Sequence, residues 1–177
     1  RDVNMVIFDK TGTLTKGEPI VTDIIEIKES KAAILQIAGS IEKNSEHPLA
    51  QAIVQAAKEE NITLSEVEGF QAIPGYGVSA DLKNKKILFG TRKLMTDNQI
   101  KSTIIEERMI VLEDQGKTAM ILAQDKNIIG IIAVADTLKE YSKEAVAILH
   151  KMGKKVAIIT GDNKRVGRAI AKLVDID

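Results

Sequence analysis

The sequence predicts an α/β domain with parallel strands, interrupted by an inserted α+β domain. Two observations at the ends of the chain and one in its middle predict this. Short, largely apolar runs stand near both ends: Val3–Phe8 ahead of Asp9, and Val156–Ile159 ahead of Thr160-Gly161-Asp162. Runs of this kind, without helical period, read as buried strands of a parallel sheet. Helical stretches flank the second run, the βαβ alternation that parallel strands need. Between the two ends, from Val67 to Val134, the pattern changes to short strands with tight turns, which reads as antiparallel hairpins. The boundaries expected from these shifts are 1–20 and 131–177 for the split α/β domain and 21–130 for the insert.

Each element has its own signal. Val3–Phe8 is the first strand, and a Gly- and Thr-rich loop follows it to about Pro19. Ile34, Leu35, Ile37, Ala38 and Ile41 recur at helical spacing, so Lys31–Glu42 is predicted as a helix. Pro48 opens the next helix, because the first turn has no use for the N–H that proline lacks; Leu49, Ile53, Ala56 and Ala57 form its stripe to about Glu60. Val67–Ile73 and Val78–Leu82 read as strands around the turn Pro74-Gly75-Tyr76-Gly77, and Lys83-Asn84-Lys85 turns the chain again into Lys86–Phe89. Val111, Met120–Leu122 and Ile128–Val134 complete the expected antiparallel set, with Asp125-Lys126-Asn127 as a hairpin loop. After Asp136, Glu140–Lys151 and Lys164–Val174 read as helices on either side of the strand Val156–Ile159.

Composition narrows the function. The 177 residues are 44% apolar, enough for a core, but only three Phe and two Tyr are aromatic, so packing rests on aliphatic side chains. Lys plus Arg equals Asp plus Glu at 25 each, which gives no excess of positive charge for nucleic acid. The absence of Cys excludes a disulfide framework and thiolate metal ligands within these residues. No apolar run reaches transmembrane length, and no signal peptide opens the sequence. The abrupt start, with a reactive motif already at residue 9, reads as part of a longer polypeptide.

The chemistry concentrates at the strand ends. Asp9, at the carboxyl end of the first strand, stands where open α/β sheets place their ligands. A carboxylate there can attack phosphorus and form an aspartyl-phosphate. Phosphoryl transfer also needs donors for the non-bridging oxygens, and the Thr13 and Thr160 hydroxyls with the Gly161 N–H are the candidates. Lys10 is expected to point elsewhere by strand alternation. Asp162 or Asn163 reads as the N-cap of the last helix when taken alone. In the insert, His47 at a helix start can meet a purine edge, and Glu42 can accept from an exocyclic amine. Gly75 and Gly77 would let a flat base or ribose approach the backbone.

Together these motifs resemble those of P-type cation-transporting ATPases, a branch of the haloacid-dehalogenase superfamily. Asp9-Lys10-Thr11-Gly12-Thr13-Leu14-Thr15 is similar to the phosphorylation motif of that family, and Thr160-Gly161-Asp162-Asn163 to its second phosphate-site motif. Asp136-Thr137-Leu138-Lys139 resembles its hinge motif, with Lys139 where the family usually has Arg. Ser45-Glu46-His47-Pro48-Leu49, with Glu42 before it, resembles the adenine-site motif of the heavy-metal branch, and Gly75-Tyr76-Gly77 its paired-glycine nucleotide motif.

The resemblance implies a haloacid-dehalogenase-like (Rossmann-like) phosphorylation domain, C-terminally truncated, around an inserted nucleotide-binding domain. It implies catalytic roles for Asp9, Thr11, Thr13, Thr160, Gly161 and Asp162, and nucleotide contacts from Glu42, Ser45, Glu46, His47, Gly75 and Gly77. Mg²⁺ would be held in part by Asp9 and Thr11, the remaining ligand lying beyond Asp177. ATP would donate its γ-phosphate to Asp9 and ADP would leave. Actuator and transmembrane domains of the same polypeptide, a metallochaperone and a cytoplasmic position on an integral membrane protein are further implications, and the Ser-Glu-His-Pro form leans towards copper over zinc. Two other readings stay open: a capped phosphatase of the same superfamily, and a non-catalytic nucleotide-sensing module. Thr11 argues against the phosphatase, because related phosphatases carry a general acid/base Asp at that place.

Overall fold

The computed structural model describes residues 3–176, which divide into two compact units. One is built from the described parts of Arg1–Pro19, Ile110–Thr118 and Ala135–Asp177, and the other from Ile20–Met109 and Ala119–Val134. Contacts thus group residues 110–118 with the terminal segments, whereas the sequence pattern counts them within the insert.

In the first unit, β1 (Met5–Asp9) and β8 (Lys155–Ile159) pair in parallel, with Asp9 opposite Ile159. Helices α5 (Ser142–Lys151) and α6 (Lys164–Leu173) flank β8 in sequence. Leu14, Val146, Val156, Val174 and Ile176 form the core, with Phe8, Leu149 and Ile158 packed against it. The expectation that both strands are buried on two faces is not met. Met5, Ile7 and Ile159 are 49%, 60% and 62% exposed, because the apolar cluster covers only the face that carries Phe8 and Ile158.

The second unit centres on a six-stranded sheet in the order β2-β7-β6-β5-β4-β3. Its strands are β2 (Thr15–Glu26), β3 (Glu68–Ile73), β4 (Gly77–Leu82), β5 (Lys85–Gly90), β6 (Thr118–Gln124) and β7 (Asn127–Leu138). The β3–β4, β4–β5 and β5–β6 pairs are antiparallel. Both residues at the tips of two hairpins have positive φ, Lys83 and Asn84 at 50° and 64° and Asp125 and Lys126 at 46° and 67°, the twist that two-residue loops require. Helices α1 (Lys31–Glu42) and α2 (Pro48–Glu59) lay their apolar stripes on the sheet, burying Ile34, Ile41 and Ile53 against Val78, Ile87, Phe89 and Leu122. Each such side chain contributes roughly 2 kcal/mol by leaving water.

Three further differences have physical causes. Residues after Thr15, read as loop, form β2; Pro19 is tolerated because β2 is an edge strand. Val111 is not in a strand but in α4 (Glu106–Asp114), where Met109 and Leu112, with Ile105 just before the helix, are buried at helical spacing and Val111 is 56% exposed. The short helix α3 (Arg92–Asp97), capped by the Thr91 hydroxyl, has no apolar period long enough to announce it.

Candidate functional sites

In the first unit the chain leaves β1 at Asp9 and makes a wide turn over Lys10–Leu14. Thr11 is extended, with φ −75° and ψ 124°, and Gly12 has φ +76°, a conformation that favours glycine. The turn is tied on both sides. The Gly12 N–H donates to Thr15 Oγ1 (3.3 Å), and Lys139 Nζ donates to the Gly12 carbonyl (2.6 Å). Asp9, Thr11, Gly12 and Thr13 remain exposed. Across the parallel pair, β8 delivers Thr160, Gly161 and Asp162 next to Asp9.

Asp162 is the hub of that loop. Lys10 Nζ lies 2.5 Å from its Oδ2, the Thr160 hydroxyl donates to Oδ2 (2.8 Å), and the Thr118 hydroxyl donates to Oδ1 (2.9 Å). Burial pushes the Asp162 carboxyl up, but the Lys10 hydrogen bond and charge, with the two hydroxyls, outweigh it and hold the carboxyl below its ordinary value. The cap of α6 is Asn163, whose Oδ1 accepts from the Arg165 and Val166 N–H groups while its Nδ2 donates to Glu113.

In the second unit, Glu42 ends α1 and a turn leads to His47, the N-cap of α2. His47 Nδ1 accepts from the Leu49 N–H at 3.2 Å, so the neutral ring turns an Nε2–H donor outward. The Ser45 N–H donates to the Glu42 carbonyl (2.9 Å) and the His47 N–H to Ser45 Oγ (3.3 Å). Glu46 and His47 are exposed and Ser45 is half-buried. Glu42 is 6% exposed, and its Oε2 is buried without a hydrogen-bond partner. Burial drives its carboxyl up to about 7, against a hydrogen bond from the Ser45 side chain that lowers it. An orphaned buried acceptor of this kind fits a ligand that brings its own donor, as an amino-purine does.

The two glycines of the β3–β4 turn differ. A Cβ on Gly75 (φ +77°) meets nothing within 4 Å, so backbone is open to a ligand there. On Gly77 (φ +137°) it would stand 2.2 Å from the Phe89 carbonyl oxygen. The missing side chain at Gly77 therefore accommodates β5, not a base. Helix α1, which ends at Glu42, packs on β4 of this hairpin.

Lys10 faces away from the exposed Asp9, as alternation predicts: it is 9% exposed and pairs with Asp162. The Thr160 hydroxyl, expected to face a phosphoryl group, is engaged by Asp162. Thr118 belongs to no motif of the sequence, and the contact of Lys139, in the hinge-like motif, with Gly12 is not legible there because the two are distant in sequence. Among the described residues, no three His, Cys, Asp or Glu side chains come together to hold a metal ion.

Residues 3–177 match the family model described as hydrolase, haloacid dehalogenase-like hydrolase. A copper-exporting P-type ATPase of Staphylococcus aureus (strain MW2) is 47% identical over 176 residues, which is 99% of this chain and 21% of that protein. The chain thus spans about a fifth of the length of the curated relatives it matches. Among solved structures, a zinc-transporting PIB-type ATPase in the E2.Pi state superposes with a TM-score of 0.73 at 33% identity, covering 99% of this chain and 28% of that one. The catalytic domain of the CPx-ATPase CopB-B gives 0.72 at 27% identity, covering 99% and 60%. The chain belongs to the haloacid dehalogenase-like hydrolase family, and over 99% of its length it matches heavy-metal P-type ATPases.

Proposed function

We propose that this chain is the ATP-binding and phosphorylation region of a heavy-metal-exporting P-type ATPase of the copper type. The observation that carries the reading is the parallel register of β1 and β8, which sets Asp9 opposite Ile159 and so brings Thr160-Gly161 alongside it. ATP binds the second unit, with Glu42, Ser45, Glu46 and His47 at the base and Gly75 open to the backbone side of the nucleotide. Gly77 shapes the turn.

An Asp9 carboxylate oxygen then attacks the γ-phosphorus; the new P–O bond forms as the bond to the bridging oxygen breaks, and ADP leaves with that electron pair. Thr13 and the Gly161 N–H donate to the non-bridging oxygens. Lys10, paired with Asp162, holds the Thr160–Asp162 loop against the turn that follows Asp9. Asp9 and Thr11 would hold part of the shell of a Mg²⁺ ion, which when bound would neutralise further charge. Thr11 offers no carboxylate to activate water, so the aspartyl-phosphate persists until another domain supplies a base. That lifetime suits a pump, whose conformational change falls between phosphorylation and hydrolysis. In the whole protein the partners would be the actuator and transmembrane domains and a metallochaperone, with this region on the cytoplasmic side. No helix among the described residues is long and apolar enough to cross a membrane.

Calorimetric titration of the 177-residue chain with ATP tests the reading. His47→Gln and Gly75→Asp should each weaken binding at least tenfold with unchanged circular dichroism. Wild-type affinity in either variant would remove that residue from the nucleotide site.

A further inference from the structure

The face of the second unit's sheet turned away from α1 and α2 carries a cavity of about 340 Å³. Strand alternation builds it. Ile87 and Phe89 of β5 and Leu122 of β6 belong to the core under α1 and α2, so Leu88 and Ala123 face the other way. These two are paired directly across β5 and β6, and both are buried. The small Ala123 leaves room beside Leu88 that a larger cross-strand partner would fill. Ile100, also buried, closes this apolar floor from the loop after α3. That wall is fixed in place. The Ile100 N–H donates to the Met95 carbonyl (2.9 Å), and Asn98 Nδ2 donates to the Leu94 carbonyl (2.9 Å).

The rim of the cavity is charged, with Lys86, Asp125 and Lys126 around it. The acid is already engaged: Asp125 Oδ1 accepts from the Lys86 N–H (2.9 Å). Lys86 Nζ stands 3.8 Å from Asp81 Oδ2. The Lys126 ammonium, at the tip between β6 and β7, has no hydrogen-bond or ion-pair partner among the described residues. An apolar floor under an unanswered ammonium suits an apolar body with one anionic head, which gains a charge-assisted hydrogen bond at the rim. At about 30 Å³ for each water of the liquid, the space takes on the order of ten non-hydrogen atoms. A nucleoside triphosphate is far larger than that. We propose that this cavity is a second ligand site, for a small apolar carboxylate whose body lies over Leu88, Ile100 and Ala123 and whose head meets Lys126 and Lys86. It is separate from the nucleotide site. Glu42 and His47 belong to α1 and the cap of α2, on the opposite face of the sheet. Gly75 stands next to Gly77, which pairs with Gly90 at the end of β5 remote from Lys86.

Heteronuclear NMR of the isotope-labelled 177-residue chain, titrated with sodium octanoate, tests this. Amide shifts should saturate and centre on Leu88, Asn98, Ile100, Ala123 and Lys126. Octan-1-ol, the same chain without the charge, should bind about tenfold more weakly, and acetate, the head without the chain, should give no saturable shift. Lys86→Gln combined with Lys126→Gln should lower octanoate affinity about tenfold and leave octanol unchanged. Ala123→Leu should fill the floor and abolish binding of both. Lys86 and Lys126 are exposed, so the lysine variant carries the test even if Ala123→Leu does not fold. The absence of saturable binding overturns the proposal, as does octanoate affinity that survives the lysine substitutions. Equal affinity for octanol and octanoate overturns it too, since the cavity would then read only the apolar body. Shifts spread over the exposed Met5, Ile7 and Ile159 would mean adsorption to any apolar surface, and displacement by ATP would put octanoate in the nucleotide site; either refutes it.

Discussion

Lys10 and Asp162 lie 2.5 Å apart with side chains 11% and 14% exposed, and this pair governs how the loop behind Asp9 responds to pH. A buried charge without its partner costs more than the pair contributes, because the desolvated group is left uncompensated. The Asp162 carboxyl sits below its ordinary 3.8 in the folded chain, so its contribution to stability is complete above that value. It is lost as pH falls through the folded value, when folded and unfolded chains come to bind the proton alike. Lys10→Met removes the cation, and burial then raises the carboxyl. Urea denaturation should show the variant about 2 kcal/mol less stable at pH 7, with the gap to wild type narrowing by pH 3. An equal gap at both pH values would mean that Lys10 contributes by packing its stem, not by its charge.

At the scale of elements, the β3–β4 turn separates two glycines that the sequence presents as a matched pair. Gly77→Ala drives a Cβ into the Phe89 carbonyl at 2.2 Å, rigid backbone in a paired strand, and should cost about 3 kcal/mol. Gly75→Ala meets open space and bears only the left-handed strain, about 1 kcal/mol. Thermal melts of the two variants check this ordering, and equal losses would refute it. The example shows what a sequence makes legible. Lys31–Glu42 and the start of α2 at Pro48 were readable because burial on one helix face imposes a period and proline marks a first turn. The hairpins were readable because positive φ leaves Asn, Asp and Gly at their tips. Val111 misled because a lone β-branched residue carries no period, and its helix is recognised only from Ile105, Met109 and Leu112 together. Positions were legible where a residue type is rare for its place, as with Asp9 at the end of β1 and His47 at the start of α2. Contacts were hidden where the partner is distant in sequence, as Lys10 is from Asp162.

For the whole molecule, the chain passes between the two units within β2, α4, β6 and β7, and the first-unit ends of β2 and β7 share one carboxylate. Asp136 ties the first-unit ends of both. Its Oδ2 accepts from the Thr15 hydroxyl (2.5 Å), both oxygens accept from the Gly17 N–H (3.1 Å), and Oδ1 accepts from the Glu18 N–H (3.2 Å). Gly17 presents its N–H from a left-handed conformation with φ +79°, so the clamp depends on that glycine as well as on the carboxylate. Hydrogen bonds to a charged acceptor are the strong class, and losing this set should cost about 2 kcal/mol. Asp136→Ala should therefore speed amide exchange at Gly17 and Glu18 at least tenfold. ATP affinity of the same variant should stay within twofold, because Glu42, His47 and Gly75 lie within Ile20–Met109. Protection at Gly17 and Glu18 that survives the substitution would show that the ladder between β2 and β7 holds this crossing without the carboxylate. A loss of ATP affinity alongside the faster exchange would show instead that the nucleotide site depends on the crossing being held.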